Sequence, residues 1–225
     1  MLNRVPVCVF AKPFEAGLVK TRLIPSLGAE GAAELAEAMF EDTRTIVRRV
    51  PWAQDIVAST APLPETLADK NGSVWLQGDG NLGVRLERIL RRALSCSDIA
   101  FAIGADSPGL PLRVFEQARS RLQSVDAVLG PCEDGGFYLV GLRRCPPGLL
   151  DGIGWSQPET LSQTIAKLQD SGFKTSVLDA WFDVDRPDDL DRLCSLIASG
   201  QIAAPRTVEA LNRLKIPMGR EVSAQ

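Results

Sequence analysis

The stretch Phe101-Ala102-Ile103-Gly104-Ala105-Asp106-Ser107-Pro108-Gly109-Leu110-Pro111 decides the fold. It opens inside a short apolar run, Ile99 to Ile103, with the length and composition of a buried strand. Gly104 and Ala105 end that run with small residues, which allow close approach by another backbone or a ligand. Asp106 follows, and Pro108, Gly109 and Pro111 force a turn. A carboxylate at the carboxyl end of a buried strand stands where open α/β sheets place their ligands. A divalent cation held there would neutralise a diphosphate. The same aspartate also suits a purely local job, organising the turn through its side chain and the amides that follow.

The pattern around this stretch repeats it. Val5 to Ala11 reads as a first buried strand and runs into a loop carrying Lys12, Gly17, Lys20, Thr21 and Arg22. Three cations, a glycine and a hydroxyl on one loop suit an anionic ligand, with Arg22 able to grip phosphate bidentately. The loop is not a Walker A motif, because Val19 stands where the glycine before the lysine belongs. Apolar residues from Leu35 to Val47 recur every three or four positions and predict a helix over about 29–50, ended by Pro51. Short strands are expected at 55–59 and 73–76, joined by a Pro-containing connection at 61–71.

Gly78-Asp79-Gly80-Asn81-Leu82-Gly83 then matches the dinucleotide-binding spacing G-x-G-x-x-G between a strand and a helix. That fingerprint normally opens on the first strand of its fold, whereas two strands precede it here, and Arg85 enters the helix without the small apolar packing expected of the third glycine. An NAD(P)-binding oxidoreductase is therefore a remote alternative. The preferred reading is a loop over a ligand at neighbouring strand ends, bounded by Gly78 and Gly83, with Gln77 and Arg85 as polar contacts.

Beyond the central stretch, a helix is expected from about Pro111 and a strand over 126–130. Glu133-Asp134-Gly135-Gly136 precedes another apolar strand, 137–142, and reads as a hairpin turn, a site loop, or both. Ser156 and Glu159 have the spacing of a capping box. Asp185 precedes a last core helix, where an N-cap is its structural role. Strands alternating with amphipathic helices predict a three-layer α/β/α sandwich on a mostly parallel mixed sheet. Residues 1–200 are expected to form one domain, followed over 201–225 by a short helix and a frayed tail.

Composition narrows the chemistry. The 225 residues include no histidine, which removes the usual general base, the Ser-His and Cys-His pairs and imidazole metal sites. A net charge of −3 without a basic block argues against nucleic acid as a partner. No apolar run approaches a membrane span, so no membrane partner is expected. Five cysteines at irregular spacings, none in a Cys-x-x-Cys pair, suggest reduced thiols and a cytoplasmic location. What is left suits metal-assisted work on phosphate esters, and a crevice where the charged loops meet at strand ends suits a diphosphate bridged by Mg²⁺ or Mn²⁺.

The segments AKPFEAGLVKTRL, GDGNLGVRL, IGADSPGLP, GPCEDGGFYLVGL and WFDVDRPDDLDRL carry a family resemblance running from about Val5 to Leu193. In that order they resemble the arsenosugar-biosynthesis glycosyltransferase-like proteins of the nucleotide-diphospho-sugar transferase superfamily, with its GT-A-type fold. They are also similar to nucleotidyltransferases, including 2-phospho-lactate guanylyltransferase. The resemblance implies a metal-dependent glycosyltransferase using a nucleotide-diphospho-sugar, with a nucleotidyltransferase as the alternative, and so a nucleotide or nucleotide-sugar and a small-molecule acceptor as partners. It implies phosphate contacts from Lys20 and Arg22, and a catalytic metal on Asp106 and Asp185, which fall on the metal-holding positions of sugar-acid cytidylyltransferases. Arg186 departs from their Thr at the following position, and Ala11-Lys12-Pro13 stands in place of their glycine-rich loop. On the glycosyltransferase reading, Lys12 takes further charge and Asp134 or Glu133 is the candidate base. The basic loop itself favours the nucleotidyltransferase, since a triphosphate needs more cationic partners than a diphosphate. A non-catalytic nucleotide-sensing module is a further possibility.

Overall fold

A computed structural model describes residues 4–63 and 73–218. Most of the expected 61–71 connection and the end of the expected frayed tail lie outside these residues. Among the described residues, seven strands form one sheet: β1 (Val5–Ala11), β2 (Ala53–Ser59), β3 (Ser73–Leu76), β4 (Ala100–Gly104), β5 (Ala127–Pro131), β6 (Phe137–Leu142) and β7 (Thr175–Val177). Their order is β3-β2-β1-β4-β6-β5-β7. β1 lies parallel to β2 and β4, β2 to β3, and β5 to β7, while β6 runs antiparallel to β4 and β5. The expected mostly parallel α/β sheet is present. The reversal of β6 follows from its connection to β5, residues 132–136, which is too short for a parallel crossover. The strand order changes direction at β1 and β4, and these are the two strands whose carboxyl ends continue into the basic loop and into Asp106.

Among the described residues there are six α-helices: α1 (Ile24–Arg49), α2 (Leu82–Leu94), α3 (Leu112–Arg121), α4 (Thr160–Asp170), α5 (Pro187–Ala198) and α6 (Pro205–Arg213). The chain divides into two compact units. The first comprises the described residues of Met1–Pro13, Val47–Gly104 and Leu112–Phe182, and so holds the whole sheet. The second comprises those of Phe14–Ile46, Ala105–Pro111 and Asp183–Gln225. Among the described residues no helix is long and apolar enough to cross a membrane.

In the first unit, period-two alternation builds the core. Ile56 and Ala58, Ala100 and Ala102, Ala127 and Leu129, and Val140 and Leu142 belong to one buried cluster. Leu86, Ile89, Leu90 and Ala93 of α2 and Leu168 of α4 complete it. In the second unit, α1 is interrupted at Gly28 (φ 73°, ψ 167°), so its regular turns start where the periodicity places them. The first turn of α6 borrows its cap from α1. Asp42, 2% exposed, accepts from the Arg206 and Thr207 amides at 3.1 and 2.8 Å and from the Thr207 hydroxyl at 2.7 Å.

Three local expectations need correction. Ser156 and Glu159 do not form a capping box: Ser156 sits at φ 59° and Glu159 precedes α4 without a side-chain bond. The local side-chain bond is made by Thr160, whose hydroxyl accepts from the Gln157 amide at 3.1 Å in the turn before α4, where the Pro158 carbonyl lies close against Gly135. Asp185 is not the cap of α5 either. Arg186 is the N-cap residue, and Asp189, in the first turn, reaches back to accept from the Asp185 and Arg186 amides at 3.0 and 2.8 Å, which leaves the Asp185 carboxylate for other partners. Gly83, finally, does have close packing. A side chain there would meet the Trp155 ring at 2.9 Å and the Leu150 carbonyl at 3.0 Å.

Candidate metal and phosphate site

Three segments of the second unit build a charged cluster. The first leaves Pro13 through Phe14, whose ring lies 5.1 Å from that of Phe40, and turns at exposed Gly17 (φ 83°). Lys20 follows in the left-handed region (φ 45°, ψ 43°), held there by the Leu23 amide on its carbonyl at 2.8 Å and by the full burial of Leu23. The second segment brings Asp106, two residues beyond β4. The third is extended chain whose buried Val184 donates its amide to the Asp106 carbonyl at 3.0 Å. Alternation along extended backbone puts Asp183 and Asp185 on one side of that buried valine.

Lys20 lies between two of these acids. Its ammonium donates to Asp185 Oδ1 at 2.6 Å and Asp106 Oδ2 at 2.9 Å, and Arg22 reaches Asp185 Oδ2 at 3.5 Å. The Lys20 side chain is only 9% exposed, against 37% for Asp106 and 35% for Asp185. Burial alone would lower the Lys20 pKa; Asp106 and Asp185 outweigh it and hold the ammonium above its usual range. Burial likewise works to raise the Asp106 carboxyl, and the neighbouring ammonium instead holds it below the usual range. One ligand oxygen each from Asp106, Asp183 and Asp185 lie within 4.8 Å of one another. Hard carboxylate oxygens in that number fit a magnesium-type cation, which keeps waters or substrate phosphates in its other positions. Beside Asp106, the buried Ser107 hydroxyl has no hydrogen-bond partner.

Of the residues singled out by sequence, Lys20, Arg22, Asp106 and Asp185 thus meet. Thr21 is exposed at the start of a single 3-10 turn, and Gly17 is exposed in the loop before it. Asp183 was not foreseen as a ligand; the signal was its two-residue spacing from Asp185 in a segment with no helical pattern.

The remaining candidates fall in the first unit. Gln77, 2% exposed, donates through Nε2 to the carbonyls of Ala11 at 3.1 Å and Ala58 at 2.7 Å, tying together the carboxyl ends of β1 and β2. Its Oε1 accepts from Arg85 at 2.9 Å. Gln77 therefore positions Arg85, where a polar contact with ligand was expected. Gly78 (φ 69°) is braced by Arg88, a residue the sequence did not single out, which donates to the carbonyls of Gln77 and Asp79. Leu82 to Leu94 follows edge strand β3, away from the reversal in strand order where dinucleotide fingerprints bind, so the G-x-G-x-x-G match lacks its context. Glu133 and Asp134 are exposed in the β5–β6 hairpin, and Asp134 Oδ1 accepts from the Gly136 amide at 2.9 Å. Lys12 is exposed just beyond β1.

Residues 43–157 match the model of a family described as "Uncharacterized protein conserved in bacteria (DUF2064)". The chain is 28% identical over 213 residues to a phosphoenolpyruvate guanylyltransferase of Conexibacter woesei, covering 90% of this chain and 93% of that one. A solved structure of a proposed nucleotide-diphospho-sugar transferase from Desulfovibrio desulfuricans G20 matches with a TM-score of 0.83 and 27% identity, over 93% of this chain and 95% of its own. A cytidylyltransferase from Leptospira borgpetersenii shares the fold at a TM-score of 0.61 and 13% identity, over 98% of this chain and 100% of its own.

Proposed function

The chain belongs to the bacterial DUF2064 family within the nucleotide-diphospho-sugar transferase superfamily, and we propose that it transfers a nucleotidyl group from a nucleoside triphosphate to a phosphorylated small-molecule acceptor. The coarser reading, a transferase acting on nucleotides, has the support of both the fold and the guanylyltransferase relative. The observation that carries the finer one is the lysine held between Asp106 and Asp185, with Asp183 beside them.

Asp106, Asp183 and Asp185 would hold Mg²⁺ or Mn²⁺, which when bound screens charge on the phosphoryl oxygens. Lys20 and Arg22 add positive charge from the same loop and hold the phosphates in place. An acceptor phosphate oxygen attacks the α-phosphorus, the bond from that phosphorus to the bridging oxygen of the β-phosphate breaks, and pyrophosphate leaves. A phosphate monoester is largely ionised at neutral pH, so this acceptor needs no general base. That agrees with a chain without histidine, in which Asp134 already spends an oxygen on the hairpin amide. For this reason we place nucleotidyl transfer ahead of glycosyl transfer, which the sequence resemblance favours.

Glycosyl transfer from a nucleotide-diphospho-sugar is the second reading, supported by the Desulfovibrio desulfuricans match. It would call on Asp134 or Glu133 as base for a hydroxyl acceptor. The discriminating experiment incubates the protein with Mg²⁺ or Mn²⁺ and each common NTP plus phosphoenolpyruvate, GTP first, and separately with UDP- and GDP-sugars plus hydroxyl acceptors. Pyrophosphate release that disappears in Asp106→Asn is expected. Release of free nucleoside diphosphate from a nucleotide sugar, with no pyrophosphate from any NTP, would replace this proposal with the second reading.

A further inference from the structure

We propose that the Lys20 ammonium stands in for the divalent cation in the ligand-free protein, so that lysine and metal compete for Asp106 and Asp185. This rests on the metal reading given above. One ammonium contacts an oxygen of each acid, at 2.9 and 2.6 Å, and is itself nearly buried between them. A divalent cation bound to the same two acids would set its charge against an ammonium already in contact with both, so the two cations repel and compete for the carboxylates. The lysine is thereby driven outward as the metal enters. Its four-carbon stem allows this, and a phosphate group gives the released ammonium a new anionic partner.

Two consequences follow. Without nucleotide, the site holds metal weakly, because metal entry breaks two ion pairs. With nucleotide, the phosphates take over Lys20, so metal and nucleotide favour each other's binding, and the coupling is reciprocal. Arg22 is an internal control. It carries the same charge into the same cluster, but its side chain is 62% exposed and it meets Asp185 only at 3.5 Å.

The test titrates Mn²⁺ alone, without nucleotide, into wild type, Lys20→Gln, Lys20→Arg and Arg22→Gln. Free Mn²⁺ is read by electron paramagnetic resonance, and folding is checked by circular dichroism. Lys20→Gln is expected to bind Mn²⁺ at least tenfold more tightly than wild type, Arg22→Gln less than threefold more tightly, and Lys20→Arg as weakly as wild type. Equal tightening in Lys20→Gln and Arg22→Gln would show a general field effect and overturn the competition. Unchanged or weaker binding in Lys20→Gln would also overturn it while leaving the metal reading intact. Absence of Mn²⁺ binding in every protein would remove both. If Lys20→Gln does not fold, Lys20→Arg decides: its longer, forked side chain must still keep Mn²⁺ out, and tight binding there refutes the proposal.

Discussion

Replacing Lys20 with Met keeps the unbranched stem of the side chain and removes its ammonium, which isolates the ion cluster as a source of stability. The two hydrogen bonds lost, at 2.6 and 2.9 Å, each join charged partners. Such bonds contribute about 1.5–3 kcal/mol when well shielded. Both acids are more than a third exposed, so water screens the pair and roughly halves the sum, to about 2 kcal/mol. Removing the ammonium also leaves Asp106, Asp183 and Asp185 within 4.8 Å of one another, with Arg22 the cation in contact, so the sign is destabilising. In a chain of 225 residues a loss of about 2 kcal/mol lowers Tm by about 4–8 °C.

The pH dependence of that loss follows from the two shifted groups. Asp106 is held below its usual pKa, so its contribution is present above about pH 4 and is lost as pH falls through the lowered value. Lys20 is held above its usual pKa, so its contribution is complete below about pH 10 and is lost only as pH rises through the raised value. The gap between wild type and Lys20→Met should thus be widest from about pH 5 to 9 and close toward pH 3. Thermal unfolding in EDTA across that range measures it. A second variant separates charge from backbone: Lys20→Gly loses the same ion pairs but relieves the left-handed conformation, and should be about 1 kcal/mol more stable than Lys20→Met. A gap as wide at pH 3 as at pH 7, or equal Tm values for wild type and Lys20→Met, would refute this account of the cluster.

Other positions give independent tests. Asp42→Ala removes three hydrogen bonds from the start of α6 and should cost about 3 kcal/mol, with amides 206–213 losing hydrogen-exchange protection first. Gly83→Ala drives a methyl into the Trp155 ring and the Leu150 carbonyl, and should lower stability by about 1–3 kcal/mol in urea titrations with an unchanged m-value. Gln77→Leu removes the donor to Ala11 and Ala58 and frees Arg85; substrate KM should rise more than kcat falls, and a kcat loss at constant KM would assign Gln77 a different role.

Most of the sheet was legible because buried strands announce themselves in short runs: Val5 to Ala11 and Phe101 to Ile103 are apolar throughout, and Asp134-Gly135 marks the β5–β6 hairpin. Lys20, Arg22, Asp106 and Asp185 were legible for a related reason, since charge and turn residues at the ends of such runs have few structural uses. The failures all concern partners distant in sequence. A capping-box spacing at Ser156 could not reveal that the Pro158 carbonyl presses on Gly135, nor could the helix pattern after Gly83 reveal Trp155 above it. Gln77 looked like a ligand contact because nothing local shows that its amide is consumed by the carbonyls of two neighbouring strands. Asp183 was passed over because its role depends on Val184 docking to Asp106, a contact 78 residues away in sequence (184 − 106).

The energetics of the cluster themselves point to a ligand. Lys20 holds a left-handed backbone at a cost of about 1–2 kcal/mol, although glycine would adopt it freely. Three carboxylates are gathered within 4.8 Å, and Lys20, with Arg22 at the edge of the cluster, offsets part of their repulsion. None of these groups contributes to the apolar core. A chain shaped only by stability would place glycine at position 20 and spread the acids apart. Local strain and clustered charge persist where something other than folding requires them. A divalent cation with a phosphate would account for both features at once: the acids would receive a partner of higher charge than lysine, and the lysine, released from them, would meet a phosphate from the loop that follows the first strand.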